Sequence, residues 1–166
     1  MNELTDKSRN KAPSHYKRLG RELAMQFLFQ NDMNRDDLER ALIQFWKQAE
    51  FSGAFSDSRT FRKAARYAEK LIRGVLERSE EIDSIIASFS QKWDMTRMAC
   101  VDRNILRVAV FEMTQCPDIP PIVSIDEAVG IAKEFSSEKS GMFINGILNG
   151  VKDSLNRPAR KAVDKI

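Results

Sequence analysis

One histidine and two cysteines in 166 residues leave little from which to build a metal site. His15 stands alone, and Cys100 and Cys116 form no CxxC pair, so neither a zinc site nor a disulfide scaffold is indicated. The two thiols read as reduced side chains near a helix. No apolar run approaches the roughly 20 residues that span a bilayer. The opening MNELTDKSRNKAPSHYKR has no hydrophobic signal core, so the expected location is cytoplasmic, with no membrane partner. Catalytic signatures are missing too: there is no GxxxxGK loop, no GxGxxG after a strand, no HExxH and no Gly-x-Ser-x-Gly elbow. Carboxylates are plentiful but fall on faces read as exposed, where no acid–base pair can be assigned. The expectation is a protein that is not an enzyme and carries no cofactor.

What the chain does have is helical periodicity throughout, without strand alternation or an internal repeat, and enough apolar residues for one domain or two small subdomains sharing a core. The organising stretch runs from Trp93 to Val151. Val101, Ile105, Leu106, Val108, Ala109, Val110 and Met113 cover most of a helical circumference, which marks a buried, central helix over about Asp102 to Thr114. Pro117, Pro120 and Pro121 then forbid its continuation. Ser124 and Glu127 have capping-box spacing and predict the start of a second helix, with Ile125, Ala128, Val129, Ala132 and Phe135 inward. Ser137 predicts the cap of a third, whose buried stripe is Ile144, Ile147, Leu148, Val151 and Leu155.

Upstream, residues 1–13 lack periodicity and read as a basic, mobile arm. A helix is predicted from Ser14 to about Asn31, with Leu19, Leu23, Ala24, Phe27 and Leu28 on its core side. Arg18, Arg21, Met25 and Phe29 cluster on the other side, either as a contact surface or packed beneath a neighbouring helix. Further helices are predicted from Asp36 to Glu50, started by Asn34 or Asp36, from Ser58 to Arg78, and from Ser79 onward. The Ser58 helix carries a basic stripe of Arg59, Arg62, Lys63, Arg66, Lys70 and Arg73, either a solvated face or a track for a phosphate backbone. The sum is an all-α fold of about seven helices.

The net charge of +3 is unevenly spread: residues 1–21 hold six basic and two acidic side chains, and residues 151–166 hold five and two. Basic ends on a mildly acidic body suit a polyanion contact, or merely solubilise the termini. The turn FSSEKSGMF, residues 135–143, adds a candidate anion site: Ser137, Ser140 and Lys139 surround a helix N-terminus, and Phe143 follows one turn later as a stacking or a core aromatic. Glycines 141, 146 and 150 permit close approach of helices.

The passages GRELAMQFLFQND, WDMTRMACVDRNILRVAVFEM, DIPPIVSIDEAVGIAKEF and SSEKSGMFINGILNGV resemble the NusB family of transcription antitermination factors. The likeness covers the first predicted helix and residues 92–151, whereas 35–90 matches only in helical pattern. It implies two packed helical subdomains, here 14–78 and 79–155, between the arm of 1–13 and a basic tail of 156–166. It also implies binding to the boxA RNA of ribosomal RNA leaders together with ribosomal protein NusE, in an RNA polymerase antitermination complex. By position, the resemblance puts Lys17, Arg18, Arg21, Lys139 and Phe143 on the RNA, and Phe29, Met33 and Asp102 against NusE. In this chain Leu19 and Gly20 interrupt the basic run. Two rivals stand beside this reading. One is an RNA methyltransferase, for which 166 residues leave no room for a methyl-donor domain; the other is an interaction module or homodimer built on Met25 and Phe29.

Overall fold

The computed structural model describes residues 14–51, 58–90 and 95–163; the arm of 1–13 and Trp93 lie outside them. Among the described residues there are seven α-helices and no strand: α1 (Ser14–Met33), α2 (Leu38–Phe51), α3 (Ser58–Glu77), α4 (Ser79–Phe89), α5 (Cys100–Gln115), α6 (Pro121–Phe135) and α7 (Glu138–Ser154), with one 3-10 turn (Met95–Arg97) before α5. The central helix is α5, which packs on α1, α3, α4, α6 and α7. Its buried side chains run almost without interruption from Asn104 to Met113, as its apolar circumference requires. The most extensive pairings are α1 on α3 and α6 on α7. Core residues from both halves of the chain form one hydrophobic cluster.

Close approaches depend on missing side chains at three crossings. A Cβ at Gly20 would lie 2.9 Å from the Tyr67 ring, where α1 meets α3. One at Gly74 would overlap the Phe111 ring, where α3 meets α5, and one at Gly150 would lie 2.7 Å from the Phe89 ring. Gly146 differs from its expected role: nothing lies within 4 Å of its Cβ position, so no helix approaches there.

Two helix starts move from their expected places. Asp37, rather than Asn34 or Asp36, caps α2, its Oδ2 accepting from the Arg40 amide at 3.1 Å. Helix α6 begins one turn before Ser124, with Pro121 inside the first turn, where a missing N–H costs nothing. Ser124 and Glu127 are therefore interior residues, and the capping box does not form. Ser137 does cap α7, accepting from the Ser140 amide at 3.0 Å.

The chain after α7 folds back on the loop that follows α5. The Arg157 guanidinium donates to the carbonyls of Met113 (3.0 Å), Cys116 (3.3 Å), Pro117 (3.2 Å) and Ile119 (2.6 Å). Two backbone bonds extend the clamp, from Ile122 N–H to the Ala159 carbonyl at 3.0 Å and from Val163 N–H to the Pro117 carbonyl at 2.7 Å. Arg157 thus pairs a carbonyl of the last turn of α5 and three carbonyls of the loop that follows it. Two glycine replacements test the packing by urea unfolding. Gly74→Ala is expected to lose about 1–3 kcal/mol by overpacking against Phe111, and Gly146→Ala to gain up to about 1 kcal/mol from helix propensity.

Candidate functional site

Arg21 and Glu112 make a buried ion pair. Arg21 is 3% exposed and Glu112 is fully buried. The Arg21 Nε–H lies within hydrogen-bond distance of both Glu112 oxygens, at 3.0 and 2.8 Å. Tyr67 donates its hydroxyl to Glu112 Oε2, and Ser124 donates to Oε1 at 2.9 Å. Burial pushes the Tyr67 phenol well above its ordinary value, and the Glu112 charge and hydrogen bond push it further. For Arg21, burial works against the charged form, but Glu112, with Tyr67 and Glu127, outweighs it and raises the guanidinium's pKa. The cavity beside the cluster, about 10 Å³, is lined mainly by Met25, Ile105, Val108, Ala109, Ala128 and Ile131 and has no room for a substrate.

This placement corrects one reading of the α1 surface and decides between two others. Arg21 is not presented to a ligand, because it is held inside by Glu112. Met25 is likewise buried, so it packs beneath neighbouring helices and offers no surface for self-association. Arg18 is half-buried between carboxylates: Glu22 at 2.9 Å, Glu127 at 3.3 Å and Glu134 at 3.6 Å. Burial raises the Glu22 carboxyl's pKa above its usual range, against the pull of Arg18. Two guanidiniums thus meet four carboxylates, and this corner is not a cationic patch.

Lys17 points the other way. Its ammonium lies 3.8 Å from Asp118 and 5.6 Å from the centre of the Tyr67 ring. At the α6–α7 turn Lys139 is exposed. Phe143 is half-buried and packs against the core, so its ring is chiefly structural. Asp102 is 7% exposed; its Oδ2 accepts from Ser140 Oγ at 2.9 Å, while Oδ1 is buried without a hydrogen-bond partner. The structure therefore brings Asp102 to the same turn as Lys139.

On α1, Phe29 is half-buried and Met33 is 72% exposed. Asp32 beside them gathers Asn104 (3.0 Å), Arg107 (2.9 Å) and Arg103 (3.2 Å), and Arg107 goes on to Asp83 at 2.8 Å. Burial would raise the Asp32 carboxyl, but the Asn104 hydrogen bond and the two guanidiniums hold it below the usual carboxylate range. This cluster was not anticipated from sequence, although Arg107, four positions after Arg103 and three after Asn104 on an apolar helix, was a visible signal. Cys100 is half-buried and Cys116 buried, with the Cys116 thiol pushed up to about 11 chiefly by burial. Neither is an activated nucleophile.

The described residues thus form an all-helical bundle whose buried ionic groups neutralise one another at the crossings of its helices. The sequence profile of the NusB family matches residues 18–153, and the chain belongs to that family of non-catalytic transcription antitermination factors. It is 40% identical over 142 residues to the transcription antitermination protein NusB of Myxococcus xanthus, covering 86% of this chain and 98% of the relative. To the Symbiobacterium thermophilum protein of the same name it is 41% identical over 135 residues, covering 81% and 88%. Among solved structures, T. maritima NusB superposes with a TM-score of 0.72 at 36% identity, over 89% of this chain and 95% of that one. A NusB in complex with NusE and double-stranded RNA superposes at 0.70 with 26% identity, over 84% and 98%.

Substitutions separate the two arginines. Arg21→Ala leaves Glu112 buried and unpaired and is expected to cost about 3–5 kcal/mol in chemical unfolding, whereas Arg18→Ala is expected to cost at most about 1 kcal/mol. The Asp32 cluster has an acid signature. Because the folded carboxyl's pKa is depressed, its stabilisation is present above the unfolded value of about 3.9 and is lost as pH falls through the folded value. Asp32→Asn is expected to be less stable than wild type at pH 7, with the difference shrinking below about pH 4 in thermal melts.

Proposed function

We propose that this chain is an RNA-binding antitermination factor that holds the boxA element of ribosomal RNA leaders together with ribosomal protein NusE, in the cytoplasm, and helps RNA polymerase resist termination. The observation that carries the reading is the likeness to the NusB subunit of a NusB–NusE–RNA complex over nearly the whole of that chain. Residues 14–78 and 79–155 are its two helical subdomains. No helix among the described residues is long and apolar enough to cross a membrane.

In this reading Lys17 and Lys139 are exposed or half-exposed cations for phosphate, and the amides at the Ser137-capped start of α7 add donors beside Lys139. Arg18 contributes through the geometry of the α1–α6 seam, and Arg21 by holding that seam together. Phe143 supports the Lys139 turn from below. Phe29, Met33 and Asp102 face the protein partner. The exposure of the apolar Met33 side chain, at 72%, supports this, since a large apolar group left in water gains by being covered.

A gel-shift titration of boxA RNA and a scrambled control, with and without the organism's own NusE at two salt concentrations, tests the reading. Selective binding that tightens with NusE and weakens with salt is expected; equal affinity for both RNAs under every condition would refute it. Asp102→Asn keeps the side-chain shape while removing its charge. It is expected to weaken NusE capture at least fivefold, about 1 kcal/mol, with RNA binding by the isolated chain unchanged.

A further inference from the structure

We propose that the main phosphate-binding face of this chain is built by α3, the first turn of α1 and the folded-back C-terminal segment, with Lys17, Lys63, Arg66, Lys70, Arg160 and Lys161 as its cations and the backbone of a single-stranded RNA as its ligand. The inference rests on the reading of the chain as an RNA-binding factor and names where the electrostatic contact is made.

Cations without a carboxylate partner lie there. Arg18 and Arg21 are compensated by Glu22, Glu112, Glu127 and Glu134. On α3, Lys63, Arg66 and Lys70 are exposed and have no ion pair among the described residues, and the same holds for Arg160 and Lys161. The stripe ends at Arg73, which is occupied by Glu39 at 2.8 Å and Glu69 at 3.7 Å. A cation held by close carboxylates gains little from phosphate, so the unpaired run, joined by Lys17 with its single long contact to the exposed Asp118 at 3.8 Å, is the part able to release counterions on RNA binding.

The pieces are contiguous. The Lys63 ammonium lies 5.9 Å from the centre of the Tyr16 ring, and that ring meets Tyr67 edge-on at 6.4 Å. Lys17 lies over Tyr67 and reaches Asp118, in the loop after α5. The Lys70 charge is felt at the Cys116 thiol in the same loop. The C-terminal segment is fastened at both ends of its basic pair: Ala159 accepts from Ile122 in the first turn of α6, and Val163 donates to Pro117 in this loop. Arg157, held by four carbonyls, anchors the approach. Arg160 and Lys161 are therefore carried on backbone clamped to the same Pro117–Asp118 loop that Lys17 reaches, and ordering that backbone is not a cost left for RNA binding. A merely solubilising tail needs no such clamp.

The test compares Lys63→Ala/Lys70→Ala and Arg160→Ala/Lys161→Ala with wild type, using fluorescein-labelled boxA RNA and its scramble across a salt series. Arg73→Ala serves as a paired-cation control on the same helix, and Lys139→Ala as a control for the other proposed contact. Each double variant is expected to bind both RNAs about tenfold more weakly, with the salt slope reduced by about 1.4 and selectivity kept. Arg73→Ala is expected to bind as wild type. Arg157→Ala, which unfastens the segment, is expected to lose about what Arg160→Ala/Lys161→Ala loses, and to lose little more when combined with it. Wild-type affinity and slope in both double variants, with Lys139→Ala still impaired, would overturn this face and leave the RNA-binding reading intact. Lost selectivity at an unchanged slope would also overturn it, since the residues would then read bases. Absence of RNA binding by the wild type, alone and with NusE, would remove the parent reading and this one with it.

Discussion

The buried carboxylate of Glu112 is the interaction on which the arrangement of helices depends. It stands on α5 and accepts from Arg21 of α1, Tyr67 of α3 and Ser124 of α6, so one side chain fixes four helices against one another. An unpaired carboxylate in that position would cost several kcal/mol. Hydrophobic burial alone tolerates sliding of helices, whereas directional donors from three neighbours tolerate little. The cluster thus selects one arrangement of the bundle as well as stabilising it.

The same pairing decides which charges reach the surface. Once Glu112 and Glu127 hold Arg21, and Glu22, Glu127 and Glu134 surround Arg18, the α1–α6 side of the bundle carries no excess positive charge. Cations without an ion pair among the described residues lie instead on α3 and on the segment pinned by Arg157. A second polar cluster, centred on Asp32, fastens the C-terminal end of α1 to α5 and, through Arg107, to α4. Both ends of α1 are therefore fixed by ionic contacts to the central helix. The residues proposed for phosphate and partner contacts stand on a frame whose geometry is already set, which would lower the ordering cost of assembly.

Much of this was legible in the residues. The apolar circumference of the Val101–Met113 stretch identifies the central helix, the three prolines mark its end, and Ser137 marks the start of α7. The errors have physical causes. Ser124 and Glu127 fit a capping box by spacing, but proline tolerates the first turn of a helix, so α6 starts at Pro121 and the pair is taken inside. Periodicity assigns α1 one buried face; packed between α3 on one side and α5 on the other, it has two, and Arg21 and Met25 occupy the second. A signal for this was present. Glu112 is a lone carboxylate in an otherwise apolar run, and such a group requires a buried cation. Which arginine would supply it depends on tertiary packing, as do the carbonyls gathered by Arg157, since neither leaves a local pattern.

The most direct test of the central claim is a double-mutant cycle of Arg21→Met and Glu112→Gln, read by urea unfolding at neutral pH. If Glu112 organises the bundle through Arg21, each single change is strongly destabilising and the double variant loses much less than the two losses combined, with a coupling of about 2–3 kcal/mol. Additivity within about 0.5 kcal/mol would mean that the two side chains act independently. It would contradict the account of the buried pair as the contact that fixes the helices.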